Sequence, residues 1–124
     1  MRRVFKTRQF AKWMRGTELT DSALCRAISE MEQGLIDAHL GGGLVKKRVA
    51  LPGRGKRGSV RTILATNKGD RWFFVFGFEK QEMDNVGPEE LRWFKSYARI
   101  LLALGEFDLV NNLADGSLQE ICGD

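Results

Sequence analysis

The first third of the chain repeats apolar residues at the spacing of amphipathic helices. One stripe at i, i+3, i+4 consists of Phe10, Trp13 and Met14, and a second at i, i+4, i+7 consists of Leu24, Ile28 and Met31. Gly16 and Gly34 can end the two helices, and Thr20 can cap the start of the second. A short extended segment over residues 3–6 precedes them. We predict a strand followed by a hairpin of two helices.

After the triplet Gly41-Gly42-Gly43 the pattern changes to the two-residue period of strands. Val45, Val49 and Leu51 alternate with Lys46, Arg48 and Ala50, and a second strand covers residues 60–66 after a loop over 52–58. Asn-Lys-Gly-Asp at 67–70 is typical of a tight turn. The strand that follows over residues 71–79 has no polar face, as in a central strand covered on both sides. These segments predict a three-stranded antiparallel meander.

The last third of the chain is predicted to be mainly helical. Pro88 followed by Glu89 and Glu90 is typical of a helix start. The buried face of this helix is supplied by Leu91, Phe94, Ala98, Leu101 and Leu102. A shorter helix over 107–113 and a final edge strand over 117–122 follow. The chain is therefore predicted to be one α+β domain over residues 1–124, with 105–124 as a C-terminal extension.

Positive charge is concentrated in residues 44–80. This segment holds ten basic and two acidic residues, whereas the rest of the chain holds ten basic and fourteen acidic residues. A cationic region on an otherwise acidic protein is the charge distribution expected of a surface that meets phosphates. With 43% hydrophobic and 29% charged residues, the composition is otherwise that of an ordinary globular protein.

Other kinds of site are disfavoured by the residues themselves. The glycine-rich loop fails the spacing of a nucleotide-binding P-loop at Ala50 and again at Arg57, and it joins two strands instead of opening a helix. His39 lies in a polar turn with no pattern of His, Ser or Cys partners for catalysis. No residues have the spacing of metal ligands, and we expect neither a metal nor another cofactor.

The cysteines and the N-terminus indicate the cellular compartment in which the protein is expected. Cys25 and Cys122 are far apart and belong to no metal-spaced cluster, so we expect two reduced thiols in a cytoplasmic protein. The basic N-terminus has no apolar run behind it, which argues against a signal peptide. No stretch approaches the roughly 18 apolar residues of a membrane span, and we expect no membrane partner.

Four basic residues have positions that favour an anion site. Arg61 interrupts an apolar strand, where an arginine is costly unless it faces a ligand or an acid. Lys46 and Arg48 project from one face of their strand. Lys80 follows the aromatic strand, at the same parity as Phe78. The alternatives are a structural ion pair for Arg61, a solvated strand face for the lysines and Arg48, and core packing for Phe78.

Longer stretches of the chain resemble the HigB-like branch of the RelE superfamily of bacterial toxins. These stretches are Phe5-Lys6-Thr7, Leu24-Cys25, residues 31–38, 41–49, 55–62, 68–74 and 77–82, and Asp84-Asn85-Val86. The resemblance covers about residues 2–120. It implies a microbial-ribonuclease-like fold and the toxin of a type II toxin–antitoxin system, which enters the ribosomal A site and cuts messenger RNA.

The resemblance also implies partners and roles. It implies an antitoxin with a helix-turn-helix DNA-binding domain, encoded beside the toxin, through which the pair would bind operator DNA. Carried over by position, the catalytic residues would be Lys46, Arg48, Arg61 and Lys80, and we expect RNA contacts from Lys47, Arg54, Lys56, Arg57 and Phe78. Arg61 would bind the phosphate, and Lys46 or Lys80 would carry the proton. Val86 stands where some members have a tyrosine that acts as general base.

Two other functions fit part of the pattern. ParE-like proteins of the same superfamily inhibit DNA gyrase through protein contacts, but such an inhibitor has no need of clustered cations. A nucleic-acid-binding regulator without catalysis would bind RNA with a steep dependence on salt, but its expression without a partner would be harmless.

Overall fold

The computed structural model describes residues 2–53, 58–79 and 86–123 of the chain. In these residues the helices are α1 (Arg8–Arg15), α2 (Asp21–Glu32), α3 (Pro88–Leu102) and α4 (Glu106–Ala114). The strands are β1 (Arg3–Thr7), β2 (Ala38–Gly41), β3 (Leu44–Ala50), β4 (Ser59–Thr66), β5 (Arg71–Glu79) and β6 (Leu118–Ile121). The α+β class is as predicted, and Thr20 caps α2 by accepting a hydrogen bond from the Ala23 N–H at 3.1 Å.

The described strands form one mixed sheet in the order β2-β3-β4-β5-β1-β6. The predicted meander is its middle, because β3, β4 and β5 pair antiparallel in sequence order. β1 inserts parallel to β5 and antiparallel to β6. The extended segments predicted over 3–6 and 117–122 are β1 and β6, whereas β2 was not predicted. β2 could not be predicted from the sequence because its four residues, Ala-His-Leu-Gly, lack β-branched side chains. His39 therefore lies in a strand, and its predicted position in a turn is wrong.

Helices cover both faces of the sheet. On the first face, α1 and α2 bury their apolar stripes against side chains such as Val45, Val49 and Phe74. On the second face, α3 packs Phe94, Ala98 and Leu101 against a cluster that contains Leu44, Ile63, Phe73 and Phe78. α1 packs mainly against β5, and α2 packs mainly against β3.

A bulge in β5 changes which of its aromatic residues share a face. Ile63 lies opposite Phe76, but the next residue, Leu64, lies opposite Phe74, so Val75 is the extra residue. Phe74 therefore belongs to the first face, and Phe76 and Phe78 to the second. Simple alternation would place Phe74, Phe76 and Phe78 on one face, but the bulge shifts the alternation by one residue.

The glycine triplet makes the tight connection between β2 and β3. Gly41, Gly42 and Gly43 have φ values of 84°, 62° and 83°, which favour glycine. A Cβ atom on Gly42 would lie 2.9 Å from Lys95 Cγ, and one on Gly43 would lie 2.8 Å from Leu102 Cδ1. The triplet thus lets the hairpin turn pack closely against α3.

Gly77 in β5 is needed for the packing of α1. A Cβ atom at this position would lie 2.2 Å from Trp13 Cζ3, so the indole ring rests on the bare backbone. We expect Gly77→Ala to lower the free energy of unfolding by about 2–3 kcal/mol, because the ring or the strand must move. The measurement is urea unfolding.

Gly69 provides the control for that measurement. A Cβ atom there meets nothing closer than 3.6 Å, from Asn67 Oδ1, so Gly69→Ala should change stability by less than about 0.5 kcal/mol. Equal losses from the two alanine variants would contradict the close approach of Trp13 to Gly77.

The two cysteines form a disulfide. Cys25 in α2 and Cys122, just after β6, are joined with their Cα atoms 5.6 Å apart, across 97 residues of sequence. The expectation of two reduced thiols is therefore wrong. Sequence spacing could not reveal the pair, because α2 and the end of β6 become neighbours only when β6 joins the sheet beside β1.

Ion pairs attach the C-terminal elements to the sheet. Arg3 Nε lies 2.9 Å from Glu120 Oε2, and Arg3 Nη1 lies 3.2 Å from Glu106 Oε2 in α4. The hydrogen bond from Arg3 lowers the pKa of the Glu120 carboxyl, and the same contact raises the pKa of Arg3. None of the helices in the described part of the chain has the length and apolarity that crossing a bilayer requires.

Candidate nucleic-acid interface

Three of the predicted basic residues lie together on the second face of the sheet. Arg48 in β3 is directly opposite Arg61 in β4, and Lys46 is opposite Ile63. Directly opposite residues have Cβ atoms about 4.5–5.5 Å apart, and diagonal neighbours such as Lys46 and Arg61 are about 7–8 Å apart. We call Lys46, Arg48 and Arg61 the cationic row. Arg48 is exposed, and the other two side chains are partly buried.

Pairing with β5 gives the cationic row an aromatic neighbour. Phe78 lies opposite Arg61, and Phe76 lies opposite Ile63. The Phe76 ring is 5.9 Å from the Phe78 ring and 5.1 Å from that of Phe94 in α3, measured between centroids. Apolar material beside the row lowers the local dielectric, which strengthens attraction between its cations and an anion.

Phe78 itself is part of the core. Its exposure is 2%, and it belongs to the buried cluster of the second face. The predicted RNA contact of Phe78 is therefore corrected, since a buried ring has no free face on which a base could stack. The physical reason is that β5 is a central strand, so its side chains fill the interior between the sheet and α3.

Lys47 points away from the cationic row. It lies on the first face, is 7% exposed, and its Nζ is 2.9 Å from Glu30 Oε1 and 2.9 Å from the backbone oxygen of Leu35. Its predicted RNA contact is also corrected, because its charge is already satisfied by α2. The alternation of β3 places it between Val45 and Val49, under that helix.

Among the described residues, five other basic side chains are neutralised by carboxylates, and those of the row are not. Carboxylates pair with Arg2, Arg3, Lys6, Lys47 and Arg71. In contrast, no carboxylate among residues 2–53, 58–79 and 86–123 forms an ion pair with Lys46, Arg48 or Arg61. Like charges directly opposite each other destabilise a sheet, so three close cations without acids are a cost that an anionic ligand would remove.

The remaining predicted site residues have other positions. Lys80, Arg54, Lys56 and Arg57 lie outside the described residues. His39 is exposed and opposite Val45, so it faces away from the cationic row. Val86 packs against the core of the second face. In the described ranges no group of His, Cys, Asp or Glu side chains is arranged to hold a metal ion.

Two residues near the row were not singled out from the sequence. The Asp37 carboxylate accepts a hydrogen bond from the Arg48 N–H at 2.6 Å, which fixes the outer edge of β3. Ser59 lies opposite Ala50 and has the same parity as Arg61, so its hydroxyl belongs to the same face. Ser59 was missed because the predicted strand begins at residue 60, one residue after it.

The arrangement suits binding of a phosphodiester. Two guanidinium groups can each donate several hydrogen bonds to phosphate oxygens, and a lysine can donate a hydrogen bond or transfer a proton. Fixed cations of this kind stabilise charge that develops on phosphate oxygens during a reaction. The second face of β3 and β4 is thus a candidate anion site.

A family model matches nearly the whole chain. No curated protein matches the chain closely enough to count as a relative. A family model described as the RelE toxin of the RelE / RelB toxin–antitoxin system matches residues 2–121, which include the whole cationic row. The chain therefore belongs to the RelE toxin family, the toxins of toxin–antitoxin systems.

Proposed function

We propose that this toxin is an endoribonuclease that cuts messenger RNA on the ribosome, and that it belongs to the HigB-like branch of its family. The observation that carries the proposal is the cationic row: three basic side chains on one sheet face, with no paired carboxylate among the described residues. A protein that acted only through contacts with another protein would not need this concentration of unpaired positive charge.

The reaction requires little covalent chemistry from the protein. The ribose 2′-oxygen attacks the adjacent phosphorus, the bond from phosphorus to the 5′-oxygen breaks, and the products are a 2′,3′-cyclic phosphate and a 5′-hydroxyl. One proton leaves the 2′-hydroxyl and one reaches the departing 5′-oxygen. The enzyme holds the reacting atoms in line and stabilises the charge on the phosphorane oxygens.

The residues of the row have distinct roles in this proposal. Arg61 binds the scissile phosphate, because it lies between Arg48 and the aromatic strand, at the centre of the site. Arg48, more exposed at the edge, holds the phosphate from the other side. Lys46 is one candidate for the proton carrier, and Lys80, outside the described residues, is the other.

The proposed partners follow from the family. The antitoxin would carry a helix-turn-helix DNA-binding domain, and the pair would bind operator DNA in the cytoplasm. A short gene with a helix-turn-helix pattern directly beside this one would support that part of the proposal.

Mapping of messenger 5′ ends after induction of the toxin tests the proposed activity. We expect new 5′-hydroxyl ends within translated regions, spaced by codons, and matching 2′,3′-cyclic phosphate ends upstream of them. Blocking translation initiation should remove these ends. DNA damage without new RNA ends would instead identify a gyrase inhibitor, and growth without either effect would identify a regulator that lacks catalysis.

A further inference from the structure

Trp93 is an exposed aromatic residue on the helix that covers the second face of the sheet. It lies in α3 and is 55% exposed, and its ring centroid is 5.2 Å from that of Phe94 and 5.2 Å from that of Tyr97. Phe94 is buried and Tyr97 is partly buried, so two neighbouring rings support the indole at the surface. A ring supported in this way loses little conformational freedom when a ligand binds to it.

A series of ring contacts connects Trp93 with the cationic row. Phe78 lies opposite Arg61, and its ring centroid is 5.9 Å from that of Phe76. The Phe76 ring is in turn 5.1 Å from that of Phe94, the residue beside Trp93. Each distance is within the range of direct ring packing. Trp93 and the row therefore lie on the same side of the sheet, with aromatic side chains between them.

The other exposed apolar side chains lack this connection. In the described ranges the large ones are Leu35, Ile100, Phe107 and Val110. Three of these are aliphatic and have no ring on which a base could stack. Phe107 lies in α4, and it makes no ring contact with an aromatic residue of the described part of the chain. Trp93 is thus the exposed ring that is joined to the candidate site.

The charges near Trp93 favour a base over a phosphate. Glu89 is exposed one helical turn before Trp93, so a phosphate at this part of α3 would meet a like charge. The three cations of the row attract a phosphate, so the two parts of the surface prefer different parts of a nucleotide strand. A nucleobase is uncharged and has a flat π face, which stacks on an aromatic ring with little dependence on sequence.

From this arrangement we propose that Trp93 stacks on an unpaired base of the messenger RNA whose scissile phosphate is bound by the cationic row. The inference rests on the proposed nuclease function and adds a residue that positions its substrate. A base held by Trp93 and a phosphate held by Arg61 fix the strand at two points, which helps to bring the 2′-oxygen, the phosphorus and the 5′-oxygen into line. Stacking on the ring requires a base that is free of its partner strand, as in single-stranded RNA.

Removal of the ring and removal of the base should have the same effect on cleavage. The substrate is messenger RNA on the ribosome, cut at a site identified by end mapping, and each of a series of copies lacks one base at or beside the cut. We expect Trp93→Ala to lower kcat/KM on the intact message about tenfold or more. One abasic copy should be cut equally slowly by the wild type and by the variant, because the contact is already lost.

Three further variants are controls for this measurement. Trp93→Phe keeps an aromatic face and should retain kcat/KM within about threefold, whereas Trp93→Leu keeps apolar volume without a ring and should resemble Trp93→Ala. Phe107→Ala removes a ring that is 77% exposed on α4, and it should leave cleavage unchanged. Urea unfolding of each variant checks that the fold is retained.

Binding of free RNA gives a second readout that does not depend on cleavage. The probe is a mixed-sequence single-stranded oligonucleotide in which every 2′-hydroxyl is methylated, so that it cannot be cut. Trp72 is buried and Trp13 packs on Gly77, so stacking should quench mainly the fluorescence of Trp93. We expect quenching in the wild type and none in Trp93→Phe. Affinity for the probe, measured by anisotropy, should fall about tenfold in Trp93→Ala.

The outcomes separate this inference from the proposed nuclease activity. An equal loss in Trp93→Ala on the intact message and on every abasic copy would assign Trp93 to a contact with the ribosome or with a protein, and would overturn the proposal. Wild-type cleavage and binding in Trp93→Ala would also overturn it. Quenching by RNA without cleavage in the wild type would contradict the nuclease and support the stacking site. A wild type that neither cuts nor binds RNA would overturn both. If the free probe does not bind but the message on the ribosome is cut, the abasic series alone decides.

Discussion

Arg61→Ala is expected to abolish the growth arrest that the toxin causes and to reduce its RNA cleavage by about 100-fold or more. The guanidinium lies opposite Arg48 and beside Phe78, where no acid of the described residues neutralises it. Removal of one preorganised donor to a charged transition state typically costs this much in rate. Growth after induction in cells without the antitoxin, together with RNA end mapping, measures the effect.

Arg61→Ala should lower activity without lowering the stability of the fold. Arg48 and Arg61 are like charges in a directly opposite pair, which destabilises a sheet. Arg61→Ala relieves that repulsion, so we expect the free energy of unfolding in urea to stay the same or to rise slightly, with antitoxin binding intact. Arg99→Ala, at an exposed position on α3, provides a control in which toxicity is retained.

A fully toxic Arg61→Ala variant would refute the role of Arg61. If the variant is inactive because it is unfolded, Arg61 has a structural role. This outcome would favour the alternative that Arg61 forms a structural ion pair. Arg61→Lys distinguishes charge from geometry: it keeps the positive charge but loses the planar fork of donors, so we expect partial activity.

Reduction of the Cys25–Cys122 disulfide is expected to lower the free energy of unfolding by about 2–5 kcal/mol. The bond closes a loop across 97 residues, which restricts the unfolded chain strongly, and it ties α2 to the end of β6. Urea unfolding with and without dithiothreitol measures the loss. Since β6 pairs only with β1 among the described strands, protection of amide hydrogens should fall first in β6.

The double variant Cys25→Ser/Cys122→Ser is the control for reduction. It should have the stability of the reduced wild type and should not respond to dithiothreitol. Alkylation of the oxidised wild-type protein followed by mass spectrometry should find no free thiol. Two free thiols under oxidising conditions would contradict the disulfide.

Much of the fold was predictable because local patterns decide local structure. The stripes of α1 and α2, the Thr20 cap and the turn at 67–70 are each specified within a few residues. In that turn Asn67 Oδ1 accepts from the Gly69 and Arg71 N–H groups at 2.9 and 3.2 Å, as a short polar side chain in a turn does. Three of the four predicted catalytic residues lie on one face for the same reason, since strand alternation already assigned Lys46 and Arg48 to it.

Other features depended on contacts between distant parts of the chain. Lys47 and Phe78 look like ligand residues in the sequence, yet one is neutralised by α2 and the other is buried in the central strand. The bulge at Val75 changes which residues of β5 face each side of the sheet, and the neighbouring sequence does not predict this change. The same holds for the disulfide, whose partners are separated by most of the chain.

The sequence by itself determined the helices, the meander, the segment that carries the positive charge and the resemblance to the toxin family, because periodicity, turn chemistry and motif order are properties of neighbouring residues. Only the folded structure shows which cations of the described residues lack a carboxylate partner and which strands flank the meander. Those properties depend on what each side chain meets across the sheet, and that is set only when β1 and β6 join it and the helices cover its two faces.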